Sequence, residues 1–195
     1  MHNYNPLISS NINKFLGTQK NIQGSRFVFE KFNEQGKIYT NNQVYSANGL
    51  NIDALNNDLV LKIGKDSILV LEKNRVDSIR IDNQLFKRAG AMELFYEVLF
   101  ENNKVSLLKM YNCHVKQGKT NVMMGKTEND SYVLTEKYYL YEEGKSPSAF
   151  RLNKKSLFQF FNNKKTQLKA HIKKNNLKLN QEEDVIRLFN YYYSI

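Results

Sequence analysis

Two Gly-Lys-Thr triplets, Gly118-Lys119-Thr120 and Gly125-Lys126-Thr127, have residue types that could cradle a phosphate. A phosphate loop also needs a glycine five residues ahead of its Gly-Lys pair, and those positions hold Cys113 and Thr120. Both triplets fall between strand-like segments rather than before a helix, so they read as turns. Cys113-His114 brings together a thiol and an imidazole, the partners of a cysteine nucleophile. Neighbours on a strand point to opposite faces, so these two do not form a dyad with each other, and a structural thiol is the favoured reading. With a single cysteine and three scattered histidines, no metal centre and no intrachain disulfide are expected. The carboxylates are dispersed; Glu142-Glu143 stands beside Gly144 at a strand end, and no spacing marks a glycosidase pair. No catalytic, cofactor-binding or metal-ligating residue is nominated, and no cofactor is expected.

Two further groups could bind rather than react. Tyr138, Tyr139 and Tyr141, with Tyr132 upstream, put rings on both faces of one strand, where they could stack bases or sugars. Packing of one face into the core and the other under a loop or helix is favoured. Lys165, Lys169 and Lys173 form an i, i+4, i+8 row beside Leu168 and Ile172, and Lys164 and Lys174 extend it. These five lysines are the candidate site for an anionic partner, phosphate or membrane surface, weighed against a solvated, snorkelling face.

The elements that must position these residues are mostly strands. Alternating apolar residues recur every 8 to 12 positions from Arg26 onward. Phe27, Phe29 and Phe32 mark a first strand, and Lys37–Tyr45 and Leu50–Leu55 weaker ones. Leu59, Leu61 and Ile63 alternate, then Ser67–Glu72, Val76–Ile81 and Leu85–Lys87 follow across turns. Glu93–Glu101 is the most apolar and is expected to be covered on both faces. Lys104–Tyr111 completes a hairpin with it; Asn121–Met124, Tyr132–Glu142 and Ser148–Leu152 come after.

The tail changes period. Leu157, Phe160 and Phe161 form a short amphipathic turn; Asn163 is expected to cap a helix through Asn175. Asn180 is expected to cap a last helix, with Glu183 as its capping-box partner. Val185, Leu188, Phe189, Tyr192 and Tyr193 then fall on one stripe that must be buried, leaving Tyr191 free. The expected fold is mainly β, an antiparallel meander or partly closed barrel with two or three C-terminal α-helices packed on it. Its divisions are a poorly ordered arm over 1–24 with a turn of helix near Ile12–Leu16, a β domain over 25–152, and a helical segment over 153–195.

Composition bounds the function. Leu, Ile, Val and Phe total 56 of 195 residues, enough to bury a core. The net charge is +10, and residues 151–195 carry ten Lys/Arg against three Asp/Glu. Only six of the 29 basic residues are Arg, the preferred residue for reading bases and phosphates bidentately, so nucleic acid is a disfavoured partner. The Lys, Asn, Tyr and Phe excess is what A/T-rich codons would produce. The N-terminus has no signal-peptide pattern, and no window is apolar enough to span a membrane.

Several stretches carry a resemblance: Gly24-Ser25-Arg26-Phe27-Val28-Phe29-Glu30 with Gly36-Lys37-Ile38-Tyr39, then Phe95-Tyr96-Glu97-Val98-Leu99-Phe100 and Val105-Ser106-Leu107-Leu108-Lys109. The closing ones are Ile172-Lys173-Lys174-Asn175-Asn176-Leu177-Lys178-Leu179 and Glu182-Glu183-Asp184-Val185-Ile186. In texture the chain resembles a loose group of uncharacterised exported β-rich proteins of Bacteroidetes-type bacteria with a Lys-rich helical C-terminus. The resemblance brings no catalytic residues. It implies a periplasmic or outer-membrane-associated protein if a signal peptide has been removed; otherwise the cytoplasm is expected. The leading expectation is a non-enzymatic binding or structural module of the bacterial envelope, its partner an unknown protein or envelope component. Nucleic-acid or anionic-surface binding through the lysine helix is the alternative, and a carboxylate-dependent hydrolase a second one. The sequence leaves the oligomeric state open, as well as the use of the tyrosine face.

Overall fold

The computed structural model describes residues 14–15, 22–32, 35–41, 43–64, 67–91, 93–121 and 126–195. The fold is mainly β with three C-terminal helices, and its large sheet is open rather than closed into a barrel. The strands are β1 (Lys14–Phe15), β2 (Ile22–Gln23), β3 (Gly36–Thr40), β4 (Gln43–Ala47), β5 (Leu50–Asp53), β6 (Asp58–Lys62) and β7 (Ser67–Val70). They continue as β8 (Ser78–Ile81), β9 (Gln84–Ala89), β10 (Leu94–Glu101), β11 (Ser106–Lys116), β12 (Thr120–Asn121), β13 (Lys126–Thr127), β14 (Asp130–Tyr141) and β15 (Ser148–Phe150). The helices are α1 (Lys154–Phe160), α2 (Lys165–Lys174) and α3 (Glu182–Ser194).

The large sheet has the order β15-β14-β11-β10-β9-β8-β3-β4, and β2 pairs with β14 in parallel, which makes it mixed. The run from β8 to β11 is the meander that the alternating pattern predicts. A second, four-stranded sheet has the order β1-β7-β6-β5. The chain divides into two compact units, one of Met1–Glu97 and Tyr111–Glu136, the other of Val98–Met110 and Lys137–Ile195. β10, β11 and β14 therefore each contribute residues to both units.

In the first unit the two sheets bury their apolar faces in one core. Leu50, Ile52, Leu59 and Leu69 of β5 to β7 meet Ile38, Ile79, Ile81, Phe86 and Phe95 of β3 and β8 to β10. Gly36 belongs to this packing: a Cβ there would lie 2.4 Å from Leu50 Cδ1, so only glycine admits Leu50 against the β3 backbone. Period-2 alternation gives each strand one such apolar face, and burial against the opposite sheet is its main stabilisation.

Four local expectations are corrected. The aromatic segment at Phe27–Phe32 is not a regular strand; only Phe27 bridges to Asp53. Its backbone instead bonds β5 irregularly, Val28 N–H donating to Ile52 O at 3.0 Å and Ala54 N–H to Arg26 O at 2.9 Å. Lys37–Tyr45 is not one strand but the β3–β4 hairpin, which turns at Asn41 with a φ of 43°. Lys14–Phe15, placed in a turn of helix by sequence, is a strand paired with Ser67–Ile68; the remainder of residues 1–21 lies outside the described residues. Much of the expected strand at Asn121–Met124 also lies outside them, Asn121 itself pairing with Lys126.

The second unit is built around phenylalanines. Phe189 of α3 packs on Phe161 (centroids 4.8 Å apart), Phe100 of β10 (5.3 Å) and Phe150 of β15 (6.3 Å). Val185, Leu188 and Phe189 are fully buried, as the stripe requires, with Leu107 of β11 in the same core. The fourth correction concerns the caps. α2 starts from Lys164 in the left-handed region at φ 62°, with no side-chain cap from Asn163. The N-cap of α3 is Gln181, not Asn180, and the expected capping box is absent from it. The true side-chain cap is Asn153, which accepts the Ser156 N–H at 2.9 Å and starts α1.

Asn57 gives the first unit a local clamp. It sits at φ 53°, its Nδ2 donates to Phe95 O at 3.1 Å, and its Oδ1 accepts the Phe95 N–H at 2.9 Å. Asn57→Ala removes both bonds at a buried backbone and adds left-handed strain, with an expected loss of about 2–4 kcal/mol. Asn57→Gly relieves the strain and should lose less. Urea unfolding of both variants checks this; equal losses would show that the φ contributes nothing.

Candidate functional site

Gly118, the first glycine of the two triplets, lies against backbone. A Cβ there would come within 1.9 Å of Glu128 O, and the Gly118 N–H donates to Asp130 Oδ1 at 2.8 Å. Its amide is thus committed to a carboxylate of its own chain, and glycine is required by close approach rather than by a phosphate. Lys126 and Thr127 of the second triplet form β13, while Gly125 lies outside the described residues.

Cys113 and His114 are consecutive on β11, as read from sequence, so their side chains leave on opposite faces. The Cys113 thiol is half-buried. Burial pushes it above its ordinary value and the Asp53 carboxylate adds to the rise; the Arg26 guanidinium and a backbone hydrogen bond from Val133 oppose it. A nucleophilic cysteine needs the opposite shift. Among the described residues no group of three or more His, Cys, Asp or Glu is placed to hold a metal ion. Among the described residues no helix is long and apolar enough to cross a membrane.

The buried charges were not visible in the sequence. Asp53 is buried on β5, paired with Arg26 at 3.2 Å, and its Oδ1 accepts the Leu55 N–H. Glu97 is buried on β10, accepting from Gln84 Nε2 at 2.8 Å and from the Tyr111 hydroxyl at 2.6 Å. Lys109 of β11 has a side chain only 7% exposed and pairs with Glu182 of α3 at 3.0 Å. In strand patterns these residues occupy ordinary polar positions, and their partners are remote in sequence or fall in other elements. Each is engaged by neighbours that hold the fold together, so neither acid carries the hydrolase reading. Glu142 and Glu143 are exposed, and Glu142 pairs with Lys145 at 2.6 Å.

The aromatic candidates pack. Tyr132, Tyr138, Tyr139 and Tyr141 are all half-buried, and Tyr138 lies against the core of the second unit. Tyr191, expected to be free, stacks face to face on His171 with centroids 3.7 Å apart and planes 11° apart. That contact fastens α3 to α2. Burial holds the Tyr193 phenol above its ordinary pKa, so it stays neutral beside Phe100, on which it stacks at 5.4 Å.

The lysine candidates divide. Lys164 is not a free surface charge: its ammonium donates to Ile195 O and lies 5.5 Å from the Tyr192 ring centroid. Lys165, Lys169, Lys173 and Lys174 are exposed along α2, whose opposite side buries Leu168 and half-buries His171 and Ile172. Among the described residues none of these four is in an ion pair. Their unit has fourteen Lys/Arg against six Asp/Glu, so it holds +8 of the chain's +10.

Among the described residues of the first unit, two of the open concavities share Asn48. One, of about 660 Å³, is lined by Glu30, Lys31, Phe32, Gly49, Lys62 and Gly64, with Lys62 Nζ 5.6 Å from the Phe32 ring centroid. The other, of about 700 Å³, lies at the β3–β4 edge and includes Lys37, Ser46, Arg80 and Asp82. No family model, no curated protein and no solved structure matches this chain significantly.

The thiol offers a direct check on the chemistry. Cys113 in the folded chain should react with iodoacetamide at pH 7.5 more slowly than in the urea-unfolded chain. With its folded pKa raised, the unfolded state sheds the proton first, so stability falls as pH climbs from the ordinary thiol value through the folded one. A folded rate above the unfolded rate would reveal an activated thiolate.

Proposed function

We propose that the chain is a non-enzymatic binding module of the bacterial cell envelope that meets an anionic surface through α2. The observation that carries this reading is the contrast in how the fold treats charge. Asp53, Glu97 and Lys109, which are buried, are satisfied internally, whereas Lys165, Lys169, Lys173 and Lys174 stand exposed without an ion pair among the described residues. They occupy a helix whose other side is fixed by Leu168, Ile172 and the His171–Tyr191 stack. Such a surface concentrates anions through long-range attraction and needs no shaped pocket.

Envelope placement rests on the resemblance in sequence texture. A lipid or polysaccharide surface fits ammonium groups, which act as point charges; the scarcity of Arg makes base-edge recognition the weaker alternative.

Lys165→Glu/Lys169→Glu/Lys173→Glu is expected to weaken binding to vesicles rich in anionic lipid on the order of 100-fold, at about 1 kcal/mol per lysine. Wild-type binding should fall with salt and be absent on neutral vesicles. Cosedimentation gives the readout, circular dichroism confirms the fold of the variant, and fractionation of the native host reports the compartment. Unchanged binding by the triple variant would sink the α2 assignment. Tighter, salt-steep binding to duplex DNA with a cytosolic location would favour the nucleic-acid reading instead.

A further inference from the structure

The concavity at the β3–β4 edge contains an arrangement that β-sheets normally avoid. Lys37 of β3 and Arg80 of β8 are direct cross-strand partners. Direct partners project to the same face with Cβ atoms about 4.5–5.5 Å apart, and like charges so placed destabilise the pair. Among the described residues neither side chain is in an ion pair. Arg80 is half-buried, and its Nη1 donates to Asn83 O at 3.4 Å, which limits how far the guanidinium can swing away. Lys37 faces Ser46 of β4 on its other side, so guanidinium, ammonium and hydroxyl follow one another across β8, β3 and β4.

All three residues line the same concavity of about 700 Å³, together with Asn48 and Asn83. Asp82, an acid of that lining, sits in the two-residue turn between β8 and β9 at φ 51°. We propose that Lys37 and Arg80 form a binding site for a small ligand bearing an oxyanion group, a carboxylate or a phosphate. The group would sit between the two cations, with the planar guanidinium fork taking two of its oxygens and the ammonium acting as a point charge. Ser46 and Asn48 add neutral donors, and one bound anion would remove the repulsion that the empty pair carries. Asp82 competes with it and sets a ceiling on affinity. This site belongs to the first unit and stands independently of the α2 reading.

The test uses the full chain at low ionic strength, titrated with inorganic phosphate and, separately, with citrate, against sodium chloride of matched ionic strength. Heteronuclear NMR shifts and the Tm are read. Wild type should show saturable millimolar binding by at least one of the two anions, with shifts clustered at β3, β4 and the β8–β9 turn, and a rise in Tm beyond that of chloride. The anion that binds more tightly identifies the class. Lys37→Met and Arg80→Gln should each lower that affinity about tenfold, and Asp82→Asn should raise it several-fold. Without anion, Lys37→Met should have a Tm at or above that of wild type, because it removes a repulsion. The triple lysine variant of α2 should bind as wild type does at this site. Shifts that neither Lys37→Met nor Arg80→Gln alters would overturn the assignment. So would a response no greater than that to chloride, or a Lys37→Met variant clearly less stable than wild type in the absence of anion.

Discussion

The first unit depends on satisfying backbone groups that no neighbouring strand reaches. Its strands are short, and the segment entering the core at Arg26–Glu30 is too irregular to pair along its length. Asn51, fully buried on β5, supplies the missing partner: its Oδ1 accepts the Phe29 N–H at 3.1 Å and its Nδ2 donates to Phe29 O at 2.9 Å. Asn57 does the same for Phe95. A carboxamide carries a donor and an acceptor side by side, so it can replace one peptide of a strand. Without these two residues, the core would enclose unpaired peptide groups at a cost comparable to burying a lost hydrogen bond several times over. The apolar packing of Phe29, Phe86 and Phe95 is possible because the backbone carrying these rings is already satisfied.

This gives the asparagine content a different meaning from the one its composition suggests. A/T-rich codons would make asparagine abundant, but they would not account for Asn51, Asn57 or Asn153, each placed where an amide oxygen or nitrogen has a defined backbone partner. Alternation and stripes were legible because they are local: β8 to β11 and the buried face of α3 follow directly from period 2 and period 3.6. The β3–β4 hairpin was hidden because its turn has no glycine and relies on Asn41 at positive φ. Buried charge was hidden for another reason. Lys109 and Glu182 are 73 residues apart, and nothing in either local pattern distinguishes a paired buried lysine from a solvated one. The lysine row was visible, but not that Lys164 belongs to the fold while its neighbours do not. Cross-strand register, the basis of the Lys37–Arg80 pair, cannot be read from two strands between which β4 and three strands of the second sheet intervene.

The treatment of charge links fold to function. A buried ion pair contributes little net stability, because desolvation offsets attraction, but breaking it leaves an unpaired charge and is costly. Lys109–Glu182 therefore works as a constraint on where the α3 N-terminus sits relative to β11. The Asp184 carboxylate accepts the Lys178 N–H at 2.9 Å and fixes the loop that leads into the same helix. Glu182 and Asp184 of the α3 first turn are thus committed inside the second unit, where they hold structure. Those carboxylates are engaged elsewhere, and among the described residues the four exposed lysines of α2 are in no ion pair.

The two basic features differ in what they can recognise. The α2 lysines are ammonium point charges on long, exposed side chains spread along the helix, so they respond to charge density and distance. Their attraction weakens within a Debye length, about 8 Å at physiological salt, which suits an extended surface better than a single molecule. Lys37 and Arg80 are fixed by strand register, one half-buried and tied to Asn83 O, with a hydroxyl and amides in the same lining. Geometry of that kind distinguishes one oxyanion from another, because a planar fork rewards a matching pair of oxygens and a point charge does not. As proposed, the α2 lysines would draw the chain to an anionic surface and the Lys37–Arg80 pair would select a small oxyanion. Because each feature draws on a different set of residues, losing one leaves the chemistry of the other intact.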